Sequence, residues 1–202
     1  MWGLVTDNVI TKIINQPKGL VIGDTRHSRK IFELWSKSEL EAKGIYEVVF
    51  DNSNKKDEAY YINTNQSFNF ADGAVTASYG SPTAKALTDT LWTAQDEIDG
   101  KGTEGEVAVK GLKTKHKERI KQQAAGRLQN TDWYVVRKAD AGTAVPSAIT
   151  THRAAVRTKC AEMETAITNA ADTPALETLY TYTEQEDGSF TRPLGELPRL
   201  DS

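Results

Sequence analysis

The chain has 202 residues, 38% of them hydrophobic and 26% charged, which suits one large or two small globular domains able to bury a core unaided. Its single cysteine, Cys160, excludes an intramolecular disulfide and with it a disulfide-built secreted scaffold. The net charge of −3 is unevenly spread: residues 110–160 hold twelve Lys and Arg against Glu118, Asp132 and Asp140, a local +9 that leaves −12 elsewhere. Either an acidic half counterbalances a basic helical half within the chain, or the basic half meets an acidic partner.

The opening MWGLVTDNVI lacks the basic start and apolar run of a secretory leader. No apolar run approaches the roughly 20 residues that cross a bilayer. Folding in a cytoplasm, away from membranes, is therefore expected, and the NQS sequon at Asn65 carries no weight. WGLV and VITKII, separated by TDN, predict a β-hairpin. Ser36 with Glu39 forms a capping-box pattern and Gly44 a stop, predicting one short helix over 36–43. IYEVVF is a strand by its branched content, and AYYINTNQSFNF with AVTASY predicts a second hairpin about ADG.

Residues 81–106 open on Ser-Pro and close on DGKGTEGE, which predicts a linker or surface excursion with a helical turn near Leu91 and Trp92. From 107 the pattern turns helical. Leu112, His116, Ile120, Ala124 and Leu128 recur every four residues on one face. Pro146 and Ser147 open a second helix whose stripe is Ile149, His152, Val156, Cys160, Met163, Ile167 and Ala170. The two stripes are expected to pack on each other, with self-association of the second as the alternative. Thr173-Pro174 caps a further short helix, Asp187-Gly188 suggests a terminal hairpin, and LGELPRLDS either frays or docks on a partner. The expected class is thus α+β: a small mixed sheet with one short helix over 1–80, the linker, and a helical domain over 107–202.

Catalytic and metal-binding patterns are missing from the sequence. Cys160 sits mid-stripe without a neighbouring base, and His27, His116 and His152 stand far apart, although His116 and His152 could meet across the two helices. LVIGDTRHSRK offers cations near a glycine but lacks both phosphate-loop patterns, so a solvated loop is expected. KGLKTKHKERIK presents Lys110, Lys113, Lys115, Lys117, Arg119 and Lys121 as a basic surface able to lie along phosphates. It carries no base-stacking aromatics, which disfavours nucleic acid as a partner. No enzyme activity and no cofactor are expected.

The stretch RLQNTDWYVVRKADAGTAVPSAITTHRAAVR (127–157) resembles a module of tailed-bacteriophage tail-fibre assembly proteins and related tail-associated proteins. The matching positions are Arg127, Leu128, Thr131, Asp132, Trp133, Pro146, Arg153 and Arg157. The hairpin DNVITKIIN and the strand GIYEVVFDN likewise resemble marine phage structural proteins. The usual aromatic before the arginine pair is replaced here by TTHR. The resemblance implies a non-enzymatic virion or assembly protein, made in the host cytoplasm, that binds other virion proteins at the tail or tail fibre. A transient assembly chaperone is the alternative, and a nucleic-acid packaging factor the second. Trp133, Tyr134, Arg137, Arg153 and Arg157 are the candidate partner contacts, with Trp133 expected to serve mainly as an anchor between helices and Tyr134 and Arg137 to face solvent.

Overall fold

The computed structural model describes residues 1–200. The chain divides into two compact units, Met1–Thr83 and Ala84–Ser202. The expected α+β class is what the structure shows.

In the first unit, β1 (Trp2–Thr6) and β2 (Val9–Ile14) form the predicted hairpin. Asp7 and Asn8 turn it with φ of 52° and 62°, the left-handed pair that matches strand twist. β3 (Leu20–Ile22) and β4 (Thr25–His27) make a second, short hairpin where a solvated loop was expected, with His27 edge-on to Trp35. Two helical turns follow, α1 (Ile31–Leu34) and α2 (Lys37–Glu41). The Ser36–Glu39 capping box is present on α2. Gly44 ends this segment at φ +73°, and a Cβ there would stand 2.3 Å from the Val5 carbonyl oxygen. Only glycine fits that approach.

β5 (Ile45–Asp51) then enters the sheet, β6 (Tyr61–Ile62) follows, and β7 (Gln66–Ala71) and β8 (Ala74–Tyr79) turn about Asp72-Gly73. The strand order is β2-β1-β5-β8-β7, antiparallel except for the parallel β5–β8 pair. One core holds Ile14, Leu20, Ile31, Leu40 and Ile45; the other holds Val5, Val48, Val75 and Ala77. The predicted strand over 59–70 breaks in two because Asn63 turns to bond the Lys56 backbone at 2.9 Å.

The second unit begins where a linker was expected. After β9 (Thr83–Ala84), β10 (Thr90–Leu91) pairs with β11 (Val107–Val109) around α3 (Ala94–Ile98). Leu91 lies in a strand, so the helical turn expected near it falls instead at α3, set by a Thr93–Asp96 capping box. The helical region starts at Leu112 rather than 107, with α4 (Leu112–Gln129), α5 (Asp132–Ala141), α6 (Ser147–Asn169) and α7 (Thr173–Tyr180). β12 (Thr183–Glu184) and β13 (Phe190–Thr191) form the terminal hairpin.

Gly111 gives α4 no side-chain cap, so residues 86–89 supply one. The Leu112 and Lys113 amides donate to the Ala86 and Leu87 carbonyls at 2.9 and 3.0 Å. The Asp89 carboxylate accepts from the Gly111 amide at 2.7 Å and the Thr114 hydroxyl at 3.0 Å. Those two bonds, the Gly111 one first, hold the Asp89 carboxyl below its ordinary value. A Cβ at Gly111 would stand 2.3 Å from the Thr88 carbonyl oxygen, so the cradle requires glycine.

α4 and α6 pack antiparallel: Lys113 reaches the Thr168 carbonyl at 2.8 Å and Arg153 the Leu128 carbonyl at 3.0 Å. Both predicted stripes are buried, with Leu112, His116, Ile120 and Ala124 on α4 and Ile149, His152, Val156, Cys160, Met163 and Ile167 on α6. Leu128, the last member of the first stripe, is only half-buried. Asp172, not Thr173, caps α7 by accepting from the Ala175 amide at 2.7 Å. The tail does not fray at 194–197, because Leu194 and Leu197 are buried.

His116 is sealed beside the Tyr180 ring, and burial, with Arg119 adding repulsion, depresses its pKa from 6.5 to about 4. The folded state thus resists protonation that the unfolded chain accepts. Stability should be flat above pH 6.5, decline by up to about 3 kcal/mol as the pH falls towards 4, and lose no more from this group below that. Urea melts against pH, with His116→Leu as the reference that lacks this slope, check it.

Candidate functional site

Leu128, Asn130 and Thr131 form the corner between α4 and α5, and Thr131 is buried in it with its hydroxyl donating to the Leu128 carbonyl at 2.7 Å. Arg153 of α6 locks this corner. Its Nη1 lies 2.6 Å from Thr131 Oγ1, 3.0 Å from the Leu128 carbonyl oxygen and 2.8 Å from Asp132 Oδ1. Asp132 in the first turn also suits the positive end of the helix. Arg153 is therefore a buried clamp that fixes where α5 begins, and its guanidinium is committed inside the fold rather than offered to a partner.

Beyond that corner α5 buries none of its residues and ends on Gly142 at φ +67°. Trp133 is 50% exposed and Val136 65% exposed, so the expected anchoring of Trp133 between helices is not what the structure shows. The reason is that α5 buries no side chain among the described residues. Tyr134 and Arg137 are half-buried by their own neighbours rather than fully in solvent. The Trp133 and Tyr134 rings stack with centroids 3.8 Å apart, and the Arg137 guanidinium lies 4.7 Å above the first and 5.4 Å above the second. The i to i+4 spacing of Trp133 and Arg137 brings cation and ring together. Arg137 Nε is shielded from water with no hydrogen-bond partner among the described residues. The result is an aromatic and cationic patch, with Val136 exposed beside Trp133 and Val135 exposed on the far side of the helix. Arg157, one turn after Arg153, is exposed.

The basic surface is partly spent internally. Lys110 pairs with Glu118, Lys113 with the Thr168 carbonyl, and Lys121 with Glu164 at 3.2 Å. Lys115, Lys117 and Arg119 hold no ion pair among the described residues. His116 and His152 do not meet: antiparallel packing sets His152 level with the far end of α4, roughly 18 Å along the axis from His116 at 1.5 Å per residue. No group of three or more His, Cys, Asp or Glu among the described residues could hold a metal ion. Burial raises the Cys160 thiol above its ordinary pKa, so it stays a weak nucleophile. No helix among the described residues is long and apolar enough to cross a membrane.

Compared with known proteins, the chain matches no family model, no curated protein and no solved structure.

Two features of this unit had no signal in sequence. Asp89 caps a helix 22 residues downstream. Tyr182, Arg192 and Glu196 assemble beside α4 from the terminal segment, and no local spacing marks them.

The two roles on either side of the corner predict opposite responses. Arg153→Met should lower unfolding free energy by about 2 kcal/mol, since it removes charge-assisted bonds from a buried corner. Trp133→Ala should change it by no more than about 1 kcal/mol, the worth of its ring contacts on an exposed helix. Chemical denaturation of both variants checks the contrast.

Proposed function

We propose that this chain is a non-enzymatic bacteriophage structural or assembly protein that works by binding other virion subunits, at the tail or tail fibre. The phage context rests on the resemblance carried by Arg127, Leu128, Thr131, Asp132, Trp133, Pro146, Arg153 and Arg157. The single observation that supports a binding role is α5: a helix with no buried residue that presents a stacked Trp133–Tyr134–Arg137 group beside exposed Val136. Trp, Tyr and Arg are the side chains that dominate interface energetics, because they desolvate large surfaces at low entropic cost. Here the rings already hold the guanidinium, so little freedom is lost on contact.

The two arginines of the resemblance, both candidate partner contacts, differ in their surroundings. Arg153 positions α5, while Arg157 is exposed and available to a partner.

Quantitative mass spectrometry of particles from the encoding phage tests this reading. A fixed ratio to the major tail protein is expected, with Trp133→Ala plus Arg137→Ala lowering incorporation at least about tenfold, the loss of one interface hot spot. Absence from particles, with the chain abundant in infected cells and bound to a fibre protein, would move the role to transient chaperone. Unchanged incorporation of the double variant would remove α5 as the contact.

A further inference from the structure

A cleft of about 520 Å³ opens in the second unit between α4, α6 and the 182–197 segment, lined by Gln123, Gly126, Arg127, Tyr182, Arg192 and Glu196 over a floor of Met163 and Leu197. That volume falls in the range of small-ligand sites and fits a side chain with its flanking backbone.

Its charges are arranged, not scattered. Arg192 is held on all sides: Nε donates to the Gly195 carbonyl at 3.1 Å and lies 2.8 Å from Glu196 Oε1, Nη2 donates to Glu196 Oε2 at 3.1 Å, and the guanidinium sits 5.5 and 5.2 Å from the Tyr180 and Tyr182 rings. The Tyr182 hydroxyl donates to the same Glu196 carboxylate. Glu196 is thus neutralised where it stands. Arg127 is exposed on the opposite wall and holds no ion pair or hydrogen bond among the described residues. The cleft carries one net positive charge, and Arg127 carries it.

Gly126 adds an independent observation. It sits inside α4, where glycine costs roughly 1 kcal/mol against alanine. Nothing lies within 4 Å of the position its Cβ would occupy, so no packing demands glycine there. What the missing side chain does provide is open wall beside Arg127.

We infer that this cleft binds a carboxylate, offered by an aspartate or glutamate on an acidic segment of a partner protein, with Arg127 as its ion-pair partner. Gln123 can donate to the second oxygen. A planar guanidinium matches a carboxylate in two parallel bonds, which sets this ligand apart from a point anion. The inference rests on the reading that the chain acts by holding other proteins, and it places a second contact away from α5.

Calorimetric titration of the full chain tests it, using an acetylated Gly-Asp-Glu-Asp-Gly amide, its Gly-Asn-Gln-Asn-Gly counterpart, and inorganic phosphate. Saturable binding of the acidic peptide alone is expected, weakened roughly tenfold or more by Arg127→Ala, the loss of one charge-assisted pair. Gly126→Leu should block binding while its melting temperature is no lower than that of the parent chain. No acidic-peptide binding at millimolar concentration, equal binding of phosphate or of the amide peptide, or indifference to both cleft variants would overturn the proposal. The peptide is measured on the isolated chain, so this reading and the virion role fail separately.

Discussion

Ile120 of α4 and Val156, Met163 and Ile167 of α6 are almost wholly withdrawn from water, and the second unit hangs on that antiparallel contact. Each such side chain contributes about 1.5–3 kcal/mol on burial, against a cost of 1–2 kcal/mol for ordering each residue's backbone. Neither helix alone could recover that cost, because each is apolar on one stripe only. Once they pair, geometry follows. The N-terminus of α4 meets the 86–89 segment, and its C-terminus meets Arg153, so one helix is fixed at both ends by groups distant in sequence. α5 takes its direction from the second of these.

Charge follows the same logic. A local excess of +9 between residues 110 and 160 would strain the helical region if all its cations faced one another. The fold disperses them. Lys110, Lys121 and Arg153 find Glu118, Glu164 and Asp132, and Lys113 finds a helix C-terminal carbonyl, where a cation is also favoured by the dipole. Lys115, Lys117 and Arg119 keep no ion pair among the described residues, and such surface charges are screened within about 8–10 Å at ordinary salt. A continuous phosphate backbone needs several cations in register, whereas one carboxylate needs only one well-placed guanidinium.

The stripes of α4 and α6 were legible because helical periodicity is a local property: positions three and four apart share a face whatever covers them. The turns at Asp7-Asn8 and Asp72-Gly73, and the Ser36–Glu39 box, were legible for the same reason. Trp133 was not. An aromatic just after a helix start reads as core, and whether it is core depends on a second element that the 131–137 stretch does not encode. Arg153 failed in the opposite sense, since its acceptors lie 22 and 25 residues back and convert a surface residue type into an internal clamp. Residues 81–106 read as a linker through their glycines and acids, yet Thr93–Asp96 caps α3 and Trp92 lies over Gly102, where a Cβ would stand 2.2 Å from the indole nitrogen. Glycine there marked a close approach, not a flexible chain.

α5 poses the remaining physical question, since a ten-residue helix with nothing buried should be marginal in water. Its ends answer part of it. Arg153 and Asp132 fix the first turn, Gly142 closes the last in the left-handed conformation, and Arg137 bridges the middle to Trp133 and Tyr134. None of these interactions withdraws Val135, Val136 or the outer face of Trp133 from solvent, although burying such groups is the main source of helix stability in proteins. The helix is thus ordered by its termini and by the Arg137 bridge rather than by burial of Val135, Val136 or Trp133. α4 and α6 gain from each other a burial free energy that α5 does not gain among the described residues.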